Sequence, residues 1–165
     1  MQKNKTLPLF LLLTLFSFNN CLAQNNYSTS SEWLVETNSS NAKFQKIQKQ
    51  FRGFDQAMVE VGGRFSTFYF AIKDKNYPLA NYQLDKIKKA IENGIERRPA
   101  RKANSQTMFL ETQYLSMKKA LEKKDEKLIA KEYEQTKRVC NACHVAERVP
   151  FIEVIDPAYR WQPIR

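Results

Sequence analysis

From residue 44 onward, apolar side chains return at steps of three and four: Phe44, Ile47, Phe51, Phe54, Met58, Val61, Phe65, Phe68 and Ile72. A spacing that holds one face of a 3.6-residue turn for so long predicts a single long amphipathic helix. Gly62-Gly63 lowers its propensity, and a glycine pair inside such a stripe marks close packing or a bend rather than an end. Asn76-Tyr77-Pro78 reads as a short turn whose proline opens a second helix. The inward face of that helix carries Ala80, Leu84, Ile87, Ile91 and Ile95, and Arg97-Arg98-Pro99 closes it. A third helix from about Ser105 shows Thr107, Leu110, Tyr114, Met117 and Leu121. Asp125 is a candidate N-cap for a fourth, striped by Ile129, Tyr133, Thr136, Cys140 and Cys143. Prolines at 150, 157 and 163 then forbid continuous helix. The irregular tail carries Phe151, Ile152, Val154, Ile155 and Trp161, which are expected to pack onto the helices. Four helices with short connections predict an all-α chain, folded as an antiparallel four-helix bundle with an irregular C-terminal tail.

Ahead of the helices, Lys3 and Lys5 precede an apolar run over residues 7–18, and Cys21-Leu22-Ala23 supplies small residues for a peptidase. Residues 1–23 therefore read as a secretory signal peptide cut after Ala23. Its apolar run is shorter than the roughly 20 residues a bilayer span needs, and no later stretch comes closer, so no membrane span is expected. The product is expected to be exported, in the periplasm or beyond it. The rival reading makes Cys21 a lipid-modified residue, but Asn19-Asn20 are poor substitutes for the small residues of a lipoprotein signal. Residues 24–42 are polar and Ser/Asn-rich, a flexible leader with Trp33-Leu34-Val35 as its anchor. The folded domain spans 43–165.

Composition narrows the chemistry. A length of 165 residues holds one modest domain, and the single His excludes sites built from several imidazoles. The 27 Lys and Arg outnumber the 17 Asp and Glu, yet the aromatic residues lie on inward stripes rather than among the basic ones, so nucleic acid is not an expected partner.

One motif carries chemistry. Cys140-Asn141-Ala142-Cys143-His144 is the Cys-x-x-Cys-His pattern of covalent haem attachment, in which two thiols add to the haem vinyl groups and the adjacent His reaches the iron. On a helix, residues 140, 143 and 144 share one face, so both thioether links and the proximal nitrogen can converge on one porphyrin. A disulfide or thiol redox pair is the competing reading, but such pairs exploit a helix N-terminus, where the dipole lowers the thiol pKa, and these cysteines come late in a helical pattern. Zinc is weaker still: a closed site needs four ligands, and two Cys with one His leave it short.

Four helical stripes with one Cys-x-x-Cys-His near the end of the last resemble the class II c-type cytochromes, the cytochrome c prime group and its low-spin relatives, over about residues 44–148. That resemblance implies an exported electron carrier, not an enzyme, holding one covalent haem c on Cys140, Cys143 and His144. It also implies a cofactor-binding role for Arg148, which matches the basic residue those proteins carry beyond the motif. Glu147 stands where they have an aromatic residue, and the tail is longer than theirs, which marks a divergent branch.

The second axial position is open to comparison of heights at about 1.5 Å per residue along antiparallel helices. Met58 on the first helix and Met108 on the third fall within about a turn of His144, whereas Met117 does not. Met58 lies in the inward stripe and Met108 one position off it, so Met58 is the expected second iron ligand. The low-spin relatives also take their axial Met from the first helix. A Met in an apolar stripe is equally at home as core filler. In that case the iron is five-coordinate, facing a pocket of Phe54, Val61 or Phe51.

The loop Arg97-Arg98-Pro99-Ala100-Arg101-Lys102 places four positive charges at the haem end. They would neutralise haem propionates, steer an acidic redox partner protein, or simply be solvated. Apolar surface on the first two helices would permit a homodimer. The expectation is thus an exported monohaem c-type cytochrome. The alternatives are a five-coordinate haem protein that binds nitric oxide or carbon monoxide, and a haem-free thiol oxidoreductase.

Overall fold

The structure, a computed structural model, describes residues 33–164. The expected export signal over residues 1–23 and most of the leader lie outside the described residues. Among the described residues there is no strand; the chain is all-α. Its helices are α1 (Ser40–Phe51), α2 (Phe54–Lys73), α3 (Tyr77–Arg97), α4 (Lys102–Ser105), α5 (Tyr114–Lys123) and α6 (Glu126–Ala146). A short 3₁₀ turn, Pro99–Arg101, leads into α4, and a π-helical stretch, Gln106–Gln113, joins α4 to α5. None of the described helices is long and apolar enough to cross a membrane.

The expected first helix is two. Arg52, with φ 56°, ends α1, and Gly53 opens α2. The Asp55 carboxylate receives the Gly53 N–H at 3.1 Å and pairs with Arg52, which fixes the break. A Cβ on Gly53 would lie 3.1 Å from the Arg98 guanidinium just past α3, so a larger residue there would require that side chain to shift. Beyond the break the stripe loses its partner: α1 buries no residue, and Phe44 and Phe51 are 69% and 59% exposed. Gly62-Gly63 runs through α2 without ending it, and a Cβ on Gly63 would meet the Trp161 ring at 3.1 Å. The glycine pair marks close packing at Gly63. The leader also differs from expectation: α1 begins at Ser40, capped by Ser39, and Trp33 is held through its carbonyl by Lys46 rather than by a buried ring.

The next two turns follow the sequence. Asn76 accepts the Leu79 N–H and Pro78 sits in the first turn of α3. Asp125 accepts the Leu128 N–H at the start of α6. The helix α2 packs along α3 in the opposite sense, from Gly94 against Phe54 and Ala57 at one end to Arg64 bonding Gln83 further along. At the end of the π-helical stretch, Gln113 reaches across to α6, to the Glu132 carbonyl and the Thr136 hydroxyl, both near 3 Å. The aromatic rings of Phe65, Phe68 and Tyr69 on α2 gather round Tyr133 of α6, Phe65 stacked at 5.4 Å between centroids. With Leu84, Met117, Leu121 and Ile129 they make one core.

The third stripe needs correction. Thr107 is exposed, and the buried positions are Ser105, Phe109, Gln113 and Met117, at steps of four. A π turn takes more residues than an α turn, so the inward face advances by four where an α-helix would alternate three and four. The Thr112 hydroxyl donates to the Met108 and Thr107 carbonyls within the wide turn.

The tail packs onto the helices mainly through polar groups, with Val154 on the core and the Trp161 ring at Gly63 as its apolar contacts. Phe151, Ile155 and Tyr159 stay more than two-thirds exposed. The tail is tied instead by Asn141 to Val154, by Tyr133 and Lys137 to Asp156, by Asp74 to Arg160 and by Thr67 to Gln162. Of these ties, only the Asn141 carboxamide meets backbone groups of the tail; the others join side chain to side chain.

Candidate functional site

The last turns of α6 carry Cys140, Cys143 and His144 together. Thr136, one turn earlier, is fully buried against Gln113 and so orients this face of the helix toward the interior. Both cysteines are free thiols and half-buried. Burial, with Cys143 nearby, pushes the Cys140 thiol up to about 12. Burial and then the Glu147 charge also raise Cys143, against a smaller opposing pull from Arg101. Both are protonated at neutral pH, the reverse of the activated thiolate a redox pair requires.

The imidazole is placed by the tail. Arg148, with φ 62°, turns the chain back: its N–H meets the Val145 carbonyl at 3.0 Å, and the Val149 N–H meets the His144 carbonyl at 2.8 Å. This paired closure ends α6 in a Schellman motif. The returning chain sets the Ile152 carbonyl 2.6 Å from His144 Nδ1. A carbonyl only accepts, so Nδ1 carries the proton, and in the neutral ring Nε2 carries the lone pair.

Beside the motif, Glu147 holds the α3–α4 connection against the end of α6. Asn104 Nδ2 donates to it at 2.8 Å, and Arg101 pairs with its other oxygen and also donates to its carbonyl at 3.3 Å. Burial alone would raise the Glu147 carboxyl, but these bonds and the Arg101 charge hold it below the usual range. Arg101 is thereby occupied, and Arg97 donates to the Phe51 carbonyl, so two charges of the basic loop serve the fold. Lys102 is exposed.

Met58 is carried by a different helix, in the second turn of α2, half-buried and packed with Phe54 and Val61 against the core. Arg148 lies just past α6, with an exposed side chain. The structure therefore joins Cys140, Cys143 and His144 with Asn141, Asn104 and the Ile152 carbonyl, to which the sequence reading gave no role, and with Glu147 and Arg101, which it named without pairing them. Only Glu147 left a signal, as an acid at the end of a helix where the dipole disfavours one.

Among the described residues, no group of three or more His, Cys, Asp and Glu gathers into a metal cluster. A shallow groove of about 320 Å³ between α2, α3 and the tail is lined by Gly63, Gln83 and Trp161 but by no residue of the motif. Comparison with protein-family models, with curated proteins and with solved structures found no match for this chain.

Proposed function

We propose that the protein is an exported monohaem c-type cytochrome that carries single electrons, built as an antiparallel four-helix bundle of the class II type. The observation that carries this reading is the donor set at the end of α6. Two neutral thiols three residues apart stand next to a histidine whose Nδ1 is committed to a carbonyl. That set fits a haem held by two thioether bonds and one imidazole. Cys140 and Cys143 would anchor it, Nε2 of His144 would face the iron, and Met58 is the candidate for the opposite side. When bound, the haem supplies the reversible one-electron couple. The Ile152 carbonyl holds the imidazole in one tautomer, and Phe54 and Val61, which pack against the core, would supply an apolar wall. Exposed Lys102 beside the site would steer an acidic redox partner.

A second reading, a five-coordinate haem that captures nitric oxide or carbon monoxide, draws on the packing of Met58 against the core as ordinary filler. The thiol oxidoreductase is disfavoured by the raised thiols at the negative end of a helix dipole.

Optical spectra of the full chain exported from a haem-maturing host test the proposal. An electron carrier gives a low-spin spectrum with a methionine-to-iron charge-transfer band, unmoved by carbon monoxide and converted to high spin by Met58→Ala. A high-spin spectrum that shifts with the gas selects the second reading. A colourless product from a competent host overturns both.

A further inference from the structure

We propose that Asn141, between the two cysteines, is the positioning residue for the His144 imidazole. The inference rests on the cytochrome reading only for what Nε2 does; the placement of Nδ1 stands on geometry alone. The Asn141 carboxamide takes both backbone groups of one tail residue: Nδ2 donates to the Val154 carbonyl at 3.1 Å, and Oδ1 accepts the Val154 N–H at 2.7 Å. At its other end the loop is held by the Val149 N–H on the His144 carbonyl and by the Ile152 N–H on the Val149 carbonyl. The Ile152 carbonyl lies between these two anchors and meets Nδ1 at 2.6 Å.

Packing does not hold this loop. Phe151 is 81% exposed and Ile152 51%, so their side chains give it little hold, and Val154 alone reaches the core cluster. An amide that satisfies an N–H and a C=O at once acts as a neighbouring strand would, fixing both position and direction of the backbone. Asp lacks the donor and Leu lacks both groups. A committed Nδ1–H leaves Nε2 bare and makes it the stronger ligand, the outer-layer tuning that metal-bound histidines rely on.

The test is nitrogen-15 NMR of the full chain, made without a polyhistidine tag, in which the one His of the sequence needs no assignment. In a haem-free product, His144 is expected as the Nδ1–H tautomer, and Asn141→Leu shifts it toward the Nε2–H form that predominates in a free, neutral histidine side chain. In a haem-loaded product, reduced under carbon monoxide to make the iron diamagnetic, a protected Nδ1–H is expected. Its exchange then speeds about tenfold in Asn141→Leu, the worth of one ordinary hydrogen bond, and the reduction potential rises. Asn141→Asp keeps the acceptor and loses the donor, and it decides the matter if the Leu variant loses its helix by circular dichroism. The proposal is overturned by an Nε2–H tautomer or an unprotected Nδ1–H in the wild type. It is equally overturned if the Val154 amide loses protection in the variant while His144 is unchanged. Colour reports the haem and the imidazole signal reports Asn141, so either idea can fail without the other.

Discussion

Glu147 sits where a helix tolerates an acid least, among the last carbonyls of α6, and it is kept ionised by Arg101 and Asn104. Its contribution is therefore conditional on charge. The folded carboxyl is held below its ordinary value of 4.5, so the stabilisation is complete above that value and lost as pH falls through the folded value. Glu147→Gln should cost about 1 kcal/mol in urea unfolding near neutral pH, because a charge-assisted bond is replaced by a weaker one. The cost should shrink toward zero in acid, where the wild type is itself neutral. An equal cost at both pH values would show that shape, not charge, holds the α3–α4 connection in place. At the neighbouring thiols the same charge helps to raise Cys143, which works against the activated thiolate of a disulfide exchanger.

Four helices of this glycine-poor chain end on a basic residue with positive φ: Arg52, Lys75, Lys124 and Arg148. Their charge suits the negative end of a helix, but the left-handed backbone costs an L-residue roughly 1 kcal/mol. Lys124, at φ 53° and ψ 27°, is fully left-handed, and Lys124→Gly should stabilise the chain by about that amount, read as a higher urea midpoint. Gly94 is the opposite case: a Cβ there would lie 2.9 Å from the Ala57 Cβ and from the Phe54 ring. Gly94→Ala should cost about 1–3 kcal/mol by wedging α2 from α3, and an unchanged midpoint would mean that the pair is looser than its geometry. Periodicity made α2, α3 and α6 legible in the sequence, because one face of each packs on the core, in α6 through Ile129, Tyr133 and Thr136. It hid the break at Arg52-Gly53, since Phe51 and Phe54 stay in phase across it, and it misplaced Thr107, because a 3.6-residue period cannot represent a π turn. The Cys-x-x-Cys-His spacing was readable as local chemistry. The partners of Glu147 lie more than forty residues back along the chain, and Asn141 binds a tail with no regular period, so neither left a pattern to read.

For the molecule as a whole, the tail is a strap that runs from the end of α6 along that helix and then onto α2. Asp156 is its central fastening, bonded by Lys137 at 2.6 Å and by the Tyr133 hydroxyl at 3.0 Å. Tyr133 stands in the aromatic cluster that joins α2 to α6, so this tie connects the strap to the core. The Lys137 bond and the Tyr133 bond, against opposing burial, hold the Asp156 carboxyl below its ordinary 3.8. The fastening is then fully present above that value and weakens as pH falls through the folded value. Beyond it the strap is tied by Arg160, which pairs with Asp74 and lies over the Phe70 ring, by Gln162 on Thr67 and by the Trp161 ring against Gly63. Asp156→Asn removes the charge that Lys137 needs while keeping the shape, so at neutral pH it should loosen the strap much as acid loosens the wild type. Limited trypsin digestion reads this directly, because Arg160 lies inside the strap and is only partly exposed. Cleavage after Arg160 should be several-fold faster in the variant, while helix content by circular dichroism is unchanged. The Asn141 clip lies on the near side of Asp156, so the His144 tautomer should survive the substitution. Joint loss of both would mean that the strap docks as one cooperative unit, and cleavage at the wild-type rate would mean that Arg160 and Trp161 hold it without Asp156.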